Sequence, residues 1–190
     1  HMKYLFLITL FSFSIASIAQ SNKEAESLLS EVRQKTESYT SQTISFTNEI
    51  DAPTGNPAKP RNSRSSEGIA KIKGQKFRIE LEGMIMINDG SKSYMIYPDE
   101  EEINVFQDGE ESLSLTPSSI LASYKTGYSF AMAGKETVDG KTIQYVRLKP
   151  KASAEVKEII VGINMANKQL FSFKQFGHDD VITSFTVKSY

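Results

Sequence analysis

Early in the chain the spacing of apolar positions changes once, and the change divides helix from sheet. From Gln20 to about Tyr39, the residues Ala25, Leu28, Leu29, Val32 and Thr36 recur at helical spacing, with Lys23, Glu24, Glu31 and Lys35 on the opposite side. This pattern predicts an amphipathic helix with one side laid on an apolar surface. Beyond it the period falls to two. Ile44, Phe46, Asn48 and Ile50 alternate with Thr43, Ser45, Thr47 and Glu49, as in a strand with one face turned inward. Residues 52–66, with Pro53, Gly55, Pro57 and Pro60 among several Ser and Asn, are rich in turn formers, and Lys59, Arg61 and Arg64 make them locally basic. They are expected to form a long solvated connection between two strands.

From Gly68 to Gln107 the pattern is that of a meander. Ile69 and Ile72 lead to a Gly74-Gln75 turn, and Phe77, Ile79 and Leu81 then alternate with Arg78, Glu80 and Glu82. Met84 to Ile87 follows Gly83, Asn88-Asp89-Gly90 is a tight hairpin signal, and Tyr94 to Tyr97 and Ile103 to Phe106 end the run. Leu115-Thr116-Pro117 then opens a short helix ending near Gly127, with Ile120, Leu121 and Tyr124 on its apolar side. Strands resume at Tyr128–Ala133, Thr142–Pro150, Val156–Asn164, Gln169–Phe176 and Val181–Val187. The sum is about ten strands and two helical pieces. Loops this short make neighbours antiparallel, and a twisted sheet of this size curls or closes, so the helices are expected to cover an apolar concave face.

The N-terminus changes the picture by placing the protein outside the cytoplasm. Met2 reads as the native start, with His1 a remnant of cloning. Lys3, the apolar run Tyr4–Phe13 and the small residues from Ser14 to Ala19 follow, which is the order of a secretory signal peptide. Cleavage is expected after about Ala19, since a membrane-spanning helix needs roughly 20 apolar residues and this core is shorter. Residues 20–190 then form a single domain of 171 residues. Loss of Lys3 takes the 22 basic residues to 21 against 23 acidic ones, a balance that speaks against nucleic acid as a partner. With no Cys, no disulfide and no lipid-modified N-terminal Cys is available, so burial and strand pairing must hold the fold.

Candidate chemistry is sparse. Beyond His1 only His178 remains, inside Gly177-His178-Asp179-Asp180, which reads as a hairpin turn and falls short of the ligand set of a zinc site. Asp99-Glu100-Glu101-Glu102 lacks the alternation and central Gly of a calcium loop. No Gly-x-Ser-x-Gly elbow and no phosphate-cradling Gly loop before a helix occurs. The chain is therefore read as a non-enzyme without cofactor or metal. What it has in excess is aromatic residues and Met in strands, among them Met84, Met86 and Met95, and Met suits apolar partners without fixed shape.

Several short motifs, in their order, resemble the periplasmic outer-membrane lipoprotein carrier family (LolA-like). They are Ala25-x-x-Leu28-Leu29-x-x-Val32, the strand with Phe46, Lys76-Phe77-Arg78-Ile79-Glu80-Leu81, Asn88-Asp89-Gly90, Tyr97-Pro98, Leu115-Thr116-Pro117-x-x-Ile120-Leu121 and Val146-Arg147-Leu148-Lys149-Pro150-Lys151. The resemblance implies an incomplete, unclosed antiparallel β-barrel covered by a helical lid. It also implies a monomeric carrier that takes lipoprotein acyl chains or lipid from an inner-membrane lipoprotein-releasing transporter to an outer-membrane acceptor. The residues expected to line its apolar cavity are Phe46, Phe77, Ile79 and Leu81 on the wall, with Leu28, Leu29, Val32, Ile120, Leu121 and Tyr124 on the lid. Which strand face points inward stays open, because one residue of register reverses it. Family members tie the lid with an Arg that matches Lys73 here, and Lys lacks the forked contacts of Arg. A lipid-sensing or protein-binding scaffold on the same fold is the alternative, and an envelope lipid or glycan hydrolase ranks below it.

Overall fold

The computed structural model describes residues 13–107, 121, 124–153 and 155–190, the first eight of these as backbone only. The fold is mainly β: eleven antiparallel strands in one unclosed sheet with helical pieces against it, the architecture implied above.

Helix α1 (Phe13–Glu37) begins seven residues before the expected start, so residues 13–19 of the predicted signal segment are helical and residues 1–12 lie outside the described residues. Ala25, Leu28, Leu29 and Val32 are its buried stripe. At its C-terminal end the Ser38 N–H donates to the Gln34 carbonyl (3.0 Å), and the Gln42 side-chain amide donates to the Thr36 carbonyl (3.2 Å). These bonds satisfy carbonyls that a helix end leaves without partners. The strands are β1 (Gln42–Asn56), β2 (Lys59–Lys73), β3 (Lys76–Leu81), β4 (Met84–Asn88), β5 (Lys92–Tyr97), β6 (Glu102–Gln107), β7 (Tyr128–Val138), β8 (Lys141–Pro150), β9 (Val156–Asn164), β10 (Gln169–Gly177) and β11 (Ile182–Ser189). Every neighbour pair but one is consecutive in sequence. The exception is β1 with β11, which welds the hairpins before residue 107 to those after residue 128. Residue 121 and residues 124–127 are helical, whereas Ile120 lies outside the described residues.

The expected connection over residues 52–66 is instead the outer part of a β1–β2 hairpin. Pairing runs from Gln42↔Ile72 to Pro53↔Arg61 and resumes past an irregularity at Asn56↔Lys59. The polar composition that resembled a loop belongs to a ribbon wet on both faces. β11 stops pairing β1 at Asp51, and β3 does not begin pairing β2 until Ile69, so Pro53 and Pro60 meet no third strand that would need their missing N–H. Arg61 anchors the ribbon with an ion pair to Asp51 (2.7 Å) and donation to the Asp180 carbonyl (2.9 Å).

The core sits between α1 and the sheet, where α1 packs on β7 and β10. Leu29, Val32, Leu121 and Tyr124 meet Val146, Leu148, Ile159, Ile163 and Phe173. In β10 an extra residue at Phe171 sits between Leu170↔Ile163 and Ser172↔Gly162, which lets Leu170 and Phe173 serve the same face.

Candidate functional site

Directly opposed residues of an antiparallel pair share a face, so the register can be walked across the sheet. Phe173, beneath α1, opposes Val161 on one side and Phe185 on the other. Phe185 opposes Asn48, and Phe46, two residues earlier on β1, stands on that same face. Phe46 opposes Gly68. Ala70 and Ile72 follow on β2 and oppose Ile79 and Phe77. Ile79 then opposes Met86, Leu81 opposes Met84, and Met86 opposes Met95. The inward face, open at the level of sequence, is therefore the one carrying Phe77, Ile79 and Leu81.

This single face has two regimes. Beneath the helices it is packed: Leu28, Leu29, Val32, Leu121 and Tyr124 are 0–6% exposed, with Phe130, Met132, Leu170 and Phe185 partly buried around them. Tyr124 meets Phe130 edge-on with ring centroids 5.6 Å apart. Its hydroxyl is buried without a hydrogen-bond partner among the described residues. Over β2–β5, Ile72, Phe77, Ile79, Leu81, Met84, Met86 and Met95 are only half-buried. Phe46 stands at the border, 3% exposed, its ring 4.4 Å from that of Phe185. The ring lies over Gly68, where a Cβ would come 2.4 Å from Phe46 Cζ. Gly68 thus permits the seam to close. At its outer rim Asn88 donates to Ser93 (2.9 Å), and β6 brings Glu102, Asn104 and Phe106 to this face.

Lys73 opposes Lys76 at the end of β2, is exposed, and belongs to the other, convex face, away from the helix it was expected to tie. Among the described residues no ion pair links Lys73 to α1. Contacts that reach α1 or the residues just beyond it include Lys125 with Glu26 (3.4 Å), Lys168 with Glu31 (3.3 Å) and Gln169 donating to the Tyr39 hydroxyl (3.0 Å). These pairings join residues far apart in sequence, and no local motif announced them.

Perturbed acids stand off the apolar face. The Arg61 guanidinium holds Asp51 below the usual carboxylate range, and Arg78 does the same for Glu80. Asp89, in the β4–β5 turn, is held well below it by the backbone N–H groups of Lys92 and Ser91. Burial and then the bond to Glu136 push Tyr145, also convex, up to about 12. No group of His, Cys, Asp and Glu among the described residues could hold a metal, and His178 sits exposed in the β10–β11 turn. The arrangement offers apolar contact of adjustable shape along this face.

Together these features define a class: an open antiparallel sheet, wrapped on one apolar face by an N-terminal helix. No protein-family model and no curated protein matches the chain. Solved structures do. The chain is similar to an uncharacterized conserved protein from Thermus thermophilus, at 8% identity over 87% of this chain and 85% of that one, with a TM-score of 0.53. Lipoprotein LppX from Mycobacterium tuberculosis is similar at 14% identity over 86% and 94%, with a TM-score of 0.49. A LolA superfamily protein from Nitrosomonas europaea is similar at 10% identity over 87% and 92%, with a TM-score of 0.42. The likeness is one of fold.

Proposed function

We propose that this chain is an exported periplasmic carrier that binds lipoprotein acyl chains on the apolar face and shuttles them from the inner to the outer membrane. One observation carries the reading: the face sealed by α1 continues past Phe46 as a half-buried, Met-rich trough over β2–β5. Each buried CH₂ of an acyl chain contributes about 0.8 kcal/mol, so a dozen sheltered methylenes supply on the order of 10 kcal/mol without any covalent step. The helix is held at its rim by exposed ion pairs of the kind worth about 0–1 kcal/mol each, so its edge can part while the sheet stays paired. The inner-membrane transporter and outer-membrane acceptor, the monomeric state and cleavage after about Ala19 belong to this proposal.

The packed space beneath α1 favours a second reading, a scaffold that senses lipid or binds a protein without carrying cargo. One experiment separates the two. Protein purified from an envelope extract is examined by native mass spectrometry, then delipidated and titrated with a fluorescent acyl probe. The carrier reading expects co-purifying acylated protein or lipid and saturable probe binding, weakened in Ile79→Asp. An empty protein that also ignores the probe refutes the trough and leaves the scaffold.

A further inference from the structure

The convex face of β1–β6 carries a second surface that the trough does not use. By register, one row runs Thr43, Lys71, Arg78, Ile87, Tyr94 and Val105, and the next runs Ile69, Glu80, Ile85, Ile96 and Ile103. Ile103 and Val105 are 61% and 54% exposed, and Ile69 is 44% exposed. Three of the five most exposed large apolar side chains among the described residues thus share this one face. At the β1–β3 end of this face lies a recess of about 350 Å³ to which Lys71, Lys73, Lys76 and Arg78 contribute, and which it shares at the strand ends with Ile72 and Phe77 of the apolar face. Arg78 pairs with Glu80 (2.7 Å), whereas the three lysines make no ion pair among the described residues. Lys92 adds a further exposed cation at the same end of the strands.

We propose that this face docks on an anionic phospholipid surface. Cations beside exposed Ile, Val and Tyr are what such a surface selects: the ammonium groups meet lipid phosphates and the apolar side chains enter the headgroup boundary. Among the described residues charge is segregated along the strands, and this sets the orientation. Glu82 and the run Asp99–Glu102 lie at the opposite strand ends, about 17 Å away for a six-residue strand, and tip away from the bilayer. Asp89, at the cationic end, spends its carboxylate on Ser91, Lys92 and Tyr94. The docked protein leaves Ile79, Leu81, Met84, Met86 and Met95 on the other side of the sheet.

The test is flotation with vesicles of phosphatidylcholine alone and of phosphatidylcholine with phosphatidylglycerol in equal parts. Binding is expected only to the anionic vesicles and should fall as salt rises. A lysine near such a surface strengthens partitioning about fivefold, so K71Q/K73Q/K76Q should bind about a hundredfold less. Ile103→Ser with Val105→Ser should lose roughly tenfold or more. All these positions are exposed, and unchanged acyl-probe binding by each variant shows that the trough is intact. Equal binding to both vesicle types, binding to neither, or wild-type binding by the lysine variant overturns the proposal. So does self-association in sedimentation velocity that the Ile103 and Val105 changes abolish without any vesicle binding.

Discussion

Gly68→Ala decides whether Phe46 is the seam between the packed and open halves of the face. A Gly inside a strand ordinarily destabilises by about 0.5–1 kcal/mol relative to Ala, so a replacement in open space should stabilise. At Gly68 the sign reverses. The added Cβ would lie 2.4 Å from Phe46 Cζ, 2.8 Å from Cε2 and 2.9 Å from the Glu80 carbonyl oxygen, which belongs to the backbone. The carbonyl cannot yield without moving β3, so the phenyl ring must leave, and with it goes the contact to Phe185 at 4.4 Å. Overpacking costs about 1–3 kcal/mol and a lost aromatic pair about 0.5–1.5, so a net destabilisation of about 2 kcal/mol is expected after the Gly gain is set against them. Urea unfolding reads this as a lower midpoint at unchanged slope. Gly134→Ala is the control: Gly134 has nothing within 4 Å of the added Cβ and should give a gain of about 0.5 kcal/mol. Equal midpoints for Gly68→Ala and wild type would refute the seam.

Leu29→Ala, at a fully buried lid position, should cost about 2–5 kcal/mol in urea unfolding, whereas Ile79→Ala, on the half-buried trough, should cost less than half as much and weaken acyl-probe binding severalfold. Tyr124→Phe removes a buried hydroxyl with no hydrogen-bond partner among the described residues, so the melting temperature should rise by the equivalent of about 1 kcal/mol. A fall would show that the hydroxyl has an acceptor in solution. Asp51 titrates below its ordinary 3.8 because of Arg61, so the folded form gains from the ionised carboxylate above that pH and loses the gain as pH drops through the depressed value. The midpoint of the Asp51 carboxyl resonance in an NMR titration should rise toward the ordinary value in Arg61→Gln, with Ser63 and Lys174 still holding it down in part.

The helical stripe Ala25, Leu28, Leu29 and Val32 and the alternation of Phe77, Ile79 and Leu81 were legible because helix and strand periodicity repeat within a few residues. The hairpin turns were legible for the same reason. The ribbon at residues 52–66 was not: with both faces in water its side chains show no alternation, and only the pairing partner reveals a strand. The face Lys73 takes was not legible, because motif order says nothing of which way a strand end faces.

Local pattern thus specified a mainly β chain with an amphipathic helix, no thiol chemistry and, besides His1, one His set in a turn beside two Asp. Tertiary structure chose everything that depends on register. It brought β1 against β11 across more than a hundred residues, placed the irregularities at Ser45/Phe46 and Phe171, and so put Phe77, Ile79 and Leu81 on the same face as α1 and the lysines on the other. A strand sequence is compatible with either face until its neighbour is known, because a shift of one residue exchanges them all.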